Sequence, residues 1–490
     1  MDRGMMLEGS SRQSGGPAGS RGLLGRHHRL GRIQRWRSPT TRHMGRERGA
    51  GGPNRGCITG AVLSEGMYEG KAAATDRDDD ERPRICILGG GFGGLYTALR
   101  LSSLVWRRKK KPKITIVDRN SRFVFKPLLY ELLTEELGDD EVAPAYSSLL
   151  GGTGINFVQG NVANISPKGS EDSTGYVDLE NEERIPYDYL VLAFGSQTKM
   201  QMVPGVKEHA TPFGTFDDAT KLRQYLKASA SDCPTVVIVG SGVNGVELAS
   251  SIADKYKGRV NLKLISPGED ILPSHSDSQR QTARNVLSRR KVDIVPRTTV
   301  KGIEKNASGD YSLAVDNDGG RESITADKVI WTAGQEPVHV PRASDANTSF
   351  VPKDERGSVL TDDTLKIKGC SYGFALGDVA VAGRNGERLQ LPFTAQVAFQ
   401  QADYVAWNLW SAINNQPLLP FQYQNLGEMM SLGSWDASVA LPVGPNLSGS
   451  PASLLRKLAY VYRMPTVEQS VRLGLSWTLK FLRGELGSPC

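Results

Sequence analysis

Two copies of one glycine-rich pattern, about 150 residues apart, restrict what this 490-residue chain can fold into more than anything else in it. The first reads Ile85-Cys86-Ile87-Leu88-Gly89-Gly90-Gly91-Phe92-Gly93-Gly94, the second Val236-Val237-Ile238-Val239-Gly240-Ser241-Gly242-Val243-Asn244-Gly245. In each, an apolar run leads into G-x-G-x-x-G and then into a helix-like stretch, Leu95–Leu101 or Val246–Asp254. The first glycine (Gly89, Gly240) makes the turn. The second (Gly91, Gly242) lets the backbone approach a pyrophosphate, and the third (Gly94, Gly245) packs helix on strand. The anion then rests on free N–H groups at the positive helix end. A single copy is a weak signal. Two in matching contexts predict two dinucleotide sites, one for a tightly held group and one for a mobile one, as nicotinamide-to-flavin electron transfer requires.

The net charge of +7 is unevenly placed. Residues 1–60 hold twelve Arg, no Lys and three acids (Asp2, Glu8, Glu47), a balance of +9 that leaves −2 for the rest. The remainder is therefore not basic, and a nucleic-acid partner loses its electrostatic support. The leader is Arg-rich, acid-poor and rich in Gly and Ser, the composition of an organelle transit peptide; the alternative is a retained basic arm. The five cysteines (Cys57, Cys86, Cys233, Cys370, Cys490) include no C-x-x-C, so neither a redox disulfide nor a zinc site is spelled. The histidines outside the leader (His209, His275, His339) form no cluster, and no metal site is expected.

Asp118 closes the strand Ile114–Asp118, where an acid can accept hydrogen bonds from adenosine ribose hydroxyls. The strand after the second fingerprint, Val260–Ile265, ends in Ser266 instead. An acid there would repel a 2′-phosphate; with Ser266 both NADH and NADPH are expected to serve. Buried strands ending in glycine turns recur at Tyr189–Gly195 and Lys328–Gly334, and a third leads into Gly377-Asp378. Gly195 and Gly334 thus close the two nucleotide units. The charged run Lys109–Lys111 reads as a solvated helix end, with an anionic-lipid contact as the lesser reading.

This arrangement resembles the two-dinucleotide-binding flavoproteins from Arg84 to the C-terminus. Gly377-Asp378-Val379-Ala380 matches the element whose Asp meets the ribityl–phosphate region of FAD in that superfamily. The stretch Leu391–Gln401 resembles the A-Q-x-A-x-Q signature of type II NAD(P)H:quinone oxidoreductases, whose helix runs under the flavin and presents glutamines to the quinone. Gln396 and Gln400 lie i,i+4 on one helix face, so both amides can point into one pocket. Arg122–Leu133, with Lys126 before Pro127 where mitochondrial relatives usually carry Thr, most resembles the plant and cyanobacterial type C enzymes, a resemblance that implies Lys126 among the cofactor-binding residues. The resemblance implies FAD as bound cofactor and a membrane prenylquinone of the demethylphylloquinone, plastoquinone or ubiquinone type as acceptor. It also implies a place in phylloquinone formation and plastid quinone metabolism, without proton pumping. The implied location is the chloroplast (plastoglobule or thylakoid surface), with the mitochondrion as a further site. Glu247 stands where the family has a Glu with a proposed role in proton delivery; a first-turn Glu answering the helix dipole is the equal alternative.

The expected fold is α/β: two Rossmann-like dinucleotide-binding domains, the FAD domain carrying the NAD(P)H domain as an insert, plus a C-terminal amphipathic membrane-anchoring region. The boundaries are 1–80 for the leader, 81–225 and 346–425 for the FAD domain, 226–345 for the NAD(P)H domain and 426–490 for the tail. In the tail, Pro465 can open a helix running to about Glu485. Gln469, Arg472, Ser476, Lys480 and Arg483 form a polar strip opposite Val467, Val471, Leu473, Leu475, Trp477, Leu479, Phe481 and Leu482. That pattern suits a helix lying in a membrane interface; packing on the FAD domain or on a second subunit is the rival, and a homodimer stays open. A soluble ferredoxin reductase would not need the tail, and sulfide oxidation needs cysteines at the flavin. A cofactor-binding redox sensor is the rival from another class.

Overall fold

The computed structural model of the chain describes residues 82–107, 111–170, 173–229, 232–341, 351–384 and 387–483. The expected transit peptide with Cys57, Lys109 and Lys110 of the charged run, the re-entry point near 345, and Cys490 lie outside the described residues.

Two five-stranded parallel sheets share one plan. The first orders its strands Gly373–Ala375, Tyr189–Leu192, Arg84–Leu88, Lys113–Asp118, Ile155–Gln159. The second orders them Thr211–Pro212, Lys328–Trp331, Thr235–Val239, Asn261–Ile265, Asp293–Val295. Each fingerprint strand is central in its sheet. In each unit an antiparallel three-stranded meander follows the third strand, from Val162 to Tyr187 in one and from Thr299 to Ala326 in the other. The fingerprint strands read as unbroken apolar runs because both faces are covered. Ile85 and Ile87 enter one core while Cys86 and Leu88 enter another on the opposite face. Val236 and Ile238 part from Val237 and Val239 in the same way.

Helix α1 (Phe92–Ser103) follows the first fingerprint, and the short α2 (Leu129–Leu133) lies beyond the Lys126-Pro127 turn. Helix α3 (Val243–Tyr256) follows the second fingerprint. Helix α4 (Ala395–Ile413), capped by the Thr394 hydroxyl, packs along α1 through Phe92, Tyr96 and Phe399. The strands Glu428–Ser431, Ala437–Ala440 and Leu447–Ser448 form a small antiparallel sheet, followed by α5 (Gly449–Arg463) and α6 (Val467–Leu482). Arg290 fastens this sheet to α3, bonding Asp436 at 2.9 Å, Asp254 at 3.1 Å and the Leu432 carbonyl.

Two expectations change. The second sheet takes its edge strand from Thr211–Pro212 and its core takes Val206, so the chain enters that unit upstream of the expected boundary at 226. A two-residue strand carrying a proline has no periodicity to read. In the tail, Thr466 rather than Pro465 sets the helix start, its hydroxyl accepting from the Gln469 N–H, and the helix ends at Leu482. Part of the polar strip faces the protein: Ser476 donates to Glu141 at 3.0 Å, Lys480 to the Glu135 carbonyl at 3.0 Å, and Gln469 is buried, while Arg472 and Arg483 stay exposed. Leu473 and Trp477 turn inward with it, while Val467, Val471, Leu475, Leu479 and Leu482 stand exposed. Acids on the neighbouring 135–141 segment draw the strip in, because α6 meets a polar surface there rather than an apolar one.

Candidate active site

The two glycine turns repeat each other atom for atom in their logic. Gly89 (φ +101°) and Gly240 (φ +114°) take backbone angles that L side chains rarely adopt, and a Cβ on either would strike the next strand, Ala193 O at 2.4 Å or Thr332 Oγ1 at 2.7 Å. A Cβ on Gly94 or Gly245 would lie 1.8 Å from the carbonyl oxygen of the first glycine, which is how closely helix meets strand. At Gly91 and Gly242 a Cβ meets nothing within 4 Å. These two glycines are the N-caps of α1 and α3, and neither helix end has a side-chain cap, so its first N–H groups face open space. The residues therefore fit a pyrophosphate at each turn.

Around the first turn, Asp118 accepts from the Gly90 N–H at 2.7 Å and from Asn120, which fixes its carboxylate at the strand end while leaving acceptor capacity for a ribose. The Tyr146 hydroxyl donates to the Gly90 carbonyl at 2.8 Å. Farther along, Asp378 accepts from the Ser196 hydroxyl at 2.7 Å, and burial raises its carboxyl above the ordinary range. Lys126 sits opposite it, its ammonium lowered by desolvation and partly restored by Asp378. Gly377 donates to Gln401 Oε1 at 2.6 Å, and Gly377, Asp378, Val397 and Gln401 line one recess. Lys126, Asp378 and the N-terminal end of α4 thus converge on the region where the resemblance puts the flavin. Gly195 (φ +72°) and Gly334 (φ +76°) turn the chain between the two units, and the strands after them, Ser196–Thr198 and Gln335–Pro337, pair with each other.

Two site expectations meet a different geometry. Gln396 and Gln400 do not point free amides into one pocket. Gln396 accepts from the Tyr423 hydroxyl and Leu426 N–H and donates to the Gly427 carbonyl, while Gln400 bonds both backbone groups of Gln424. The segment from Tyr423 to Leu426 belongs to no sheet, so these amides supply the partners its backbone needs. Ser266 is buried, accepting from the Ser241 hydroxyl at 2.7 Å and donating to the Asp270 carbonyl at 2.9 Å. The first acid to face solvent beyond that strand is Glu269, held by Arg297 at 2.8 Å.

Glu247 is buried on α3 and accepts from the Ser431 N–H at 2.7 Å and from the Tyr130 hydroxyl. Burial pushes its carboxyl up to about 7. Its surroundings hold a charged cluster absent from the motif reading: Glu131 on α2 pairs with Arg456 on α5 at 2.5 Å, both almost fully buried. Glu136 and Lys457 lie beside them. The available signal was a lone charge within an apolar run, Glu131 among Leu128–Leu133 and Arg456-Lys457 among Leu454–Leu458.

A family model for pyridine nucleotide-disulphide oxidoreductases matches residues 83–402. An alternative NAD(P)H-ubiquinone oxidoreductase of Arabidopsis thaliana, named as chloroplastic/mitochondrial, is 43% identical over 82% of this chain and 82% of its own. A demethylphylloquinone reductase of Synechocystis is 40% identical over 81% of this chain and 96% of its own. The solved structure of NDH2 from Plasmodium falciparum with NADH superposes with a TM-score of 0.66 at 17% identity, covering 82% of this chain and 99% of that one, and shares the fold.

Proposed function

The chain belongs to the pyridine nucleotide-disulphide oxidoreductase family and, within it, to the NAD(P)H:quinone oxidoreductases; from that premise we propose how its residues divide the work. The observation that carries the reading is the doubled cradle, in which the second glycine of each turn faces open space at a helix N-terminus. Gly89, Gly91, Gly94 and Asp118 hold the adenosine and pyrophosphate part of FAD. Lys126, Gly195, Gly377 and Asp378 border its ribityl and ring portion. Gly240, Gly242, Gly245 and Gly334 hold NADH or NADPH. FAD bound there supplies the passage of two electrons from a nicotinamide to a quinone. The sum is NAD(P)H + H⁺ + quinone → NAD(P)⁺ + quinol.

The protein's own tasks are to bind, orient and deliver a proton. Gln396 and Gln400 brace the segment Tyr423–Gly427 against α4 and so shape the wall on which a quinone ring rests. Glu247, protonated near neutral pH in a dry setting, is the proton source for that ring. The acceptor we propose is a prenylquinone of the demethylphylloquinone class, drawn from a plastid membrane surface, with the mitochondrion as a second location. No described helix is long and apolar enough to cross a membrane. What supports a peripheral contact is the outer surface of α5 and α6, where Leu454, Leu458, Tyr462, Val467, Val471, Leu475 and Leu479 are all exposed. Anaerobic titration of the FAD-loaded protein with NADH and then a soluble quinone tests the reading. Stoichiometric bleaching and recovery of the flavin support it, and a flavin that stays reduced in the presence of quinone overturns it.

A further inference from the structure

Helix α5 is built the reverse of a surface helix. Its outer side carries Leu454, Leu458 and Tyr462, exposed, while Ser453, Arg456, Lys457 and Tyr460 point into the protein. Arg456 is among the largest fully buried side chains in the described residues. Its Nη2 meets Glu131 Oε1 at 2.5 Å, and its guanidinium lies 5.2 Å from the Tyr460 ring centroid. Glu131 Oε2 and Arg456 Nε and Nη1 have no hydrogen-bond partner among the described residues.

The groups facing Glu247 come from three elements besides its own. Helix α2 supplies Tyr130 and Glu131; the strand Glu428–Ser431 supplies the Ser431 N–H; α5 supplies Arg456 and Tyr460, while Glu136 and Lys457 lie beside the Glu131–Arg456 pair. On α3 itself Asn244 faces the Tyr130 hydroxyl at 3.5 Å. Glu428 at the far end of that strand is turned to His275 at 3.6 Å. Three carboxyls therefore face two cations in a space with little water. Arg456 is committed to Glu131. Glu136 is opposed by Lys457 and bonded by the Ser434 hydroxyl at 2.5 Å. Glu247 has only neutral hydrogen-bond donors; at longer range Arg456 draws its carboxyl down and Glu131 pushes it up, and in a buried cluster with one anion in excess the proton stays on the carboxyl that has no directly bonded cation.

We propose that Glu131 is a positioning residue for the quinone half of the reaction: by holding Arg456 in a buried ion pair it leaves Glu247 without a directly bonded cation, and so keeps Glu247 protonated in the resting enzyme. The inference rests on the proton-source role given to Glu247 above. Removing the charge of Glu131 leaves Arg456 without its bonded carboxylate, and Glu247 is the other carboxyl that acts on it most strongly. The carboxyl then ionises to neutralise it, and its proton is gone before quinone arrives.

The test uses full-length, FAD-loaded protein and a water-soluble quinone, and follows the pH profile of kcat together with infrared titration of the carboxyl that Glu247→Gln removes. Glu131→Gln should move the limb of the profile and the infrared titration at least one pH unit to acid. Arg456→Gln should move both to alkali, and it serves if Glu131→Gln fails to fold. The double variant Glu131→Gln/Arg456→Gln should return both near the wild-type position, a rescue that a merely structural pair would not give. Glu131→Asp should retain them. Variants that lose melting temperature while limb and titration stay in place overturn the proposal. If Glu247→Gln keeps full quinone turnover at every pH, the proton-source role falls, and the infrared titration alone still decides whether Glu131 sets the protonation of Glu247.

Discussion

At Gly91 a Cβ would stand in open space, whereas at Gly94 it would lie 1.8 Å from a carbonyl oxygen, so two neighbouring glycines of one motif should fail in different ways. Gly91→Val is expected to fold with the melting temperature of flavin-free wild type and carry no flavin, its branched side chain filling the approach of the pyrophosphate. Gly94→Ala should lose roughly 3 kcal/mol or more of stability, because helix and turn must part to admit it. Flavin content after gel filtration and thermal melts of both variants check the pair. Glu247 carries a consequence for stability. The native protein holds a proton there between about pH 4.5 and 7 that the unfolded chain has released, so stability falls as pH rises through that window and levels above it. The loss amounts to roughly 3 kcal/mol. Urea midpoints of the wild type and Glu247→Gln from pH 4.5 to 8 should differ in slope below pH 7, and parallel curves would show that Glu247 titrates normally. The motif residues were legible because each glycine has its own steric reason. Sequence order cannot say that the Ser266 hydroxyl is already used by Ser241 and Asp270, or that Glu269 is the first acid to face solvent beyond that strand. Glu269→Gln is accordingly expected to raise kcat/KM for NADPH relative to NADH by about one decade, the scale of one like-charge contact near a surface.

The helices that follow the two fingerprints and the signature helix α4 were readable as elements, because glycine turns and a Thr cap mark their starts. Orientation was not. Period alone shows that α6 has a polar strip and an apolar face, but which of them turns inward depends on the acids at 135–141, far away in sequence. The same holds for α5, whose buried Arg456 and Lys457 look like ordinary surface charges until α2 is placed beneath them. Deleting α6 would now expose the buried Leu473 and Trp477 together with the surface they cover, and is a poor test of membrane contact. Substituting its outer face is a better one. Val471→Ser/Leu475→Ser/Leu479→Ser should leave folding, flavin content and turnover with a soluble quinone unchanged. Binding to anionic liposomes should drop by about two decades, since losing three aliphatic side chains forfeits at least ~3 kcal/mol of burial. Sedimentation with liposomes measures it, and undiminished binding would remove α6 from the membrane contact.

For the molecule as a whole, the repeated plan of parallel sheet, antiparallel meander and closing strand makes two nucleotide sites from one architecture, joined by the paired strands after Gly195 and Gly334. The doubling was visible from the fingerprints alone, because a turn, an approach and a packing contact each demand glycine at a fixed spacing. The early entry into the second unit at Thr211 was not, since that edge is made by two residues. The measurement closest to the central claim is rapid anaerobic mixing of FAD-loaded protein, first with one equivalent of NADH and then with demethylphylloquinone in anionic liposomes. Oxidised-flavin absorbance should be lost completely and then return in full, with one quinol formed per NADH consumed. A flavin that NADH bleaches but no quinone, soluble or membrane-borne, restores would contradict it.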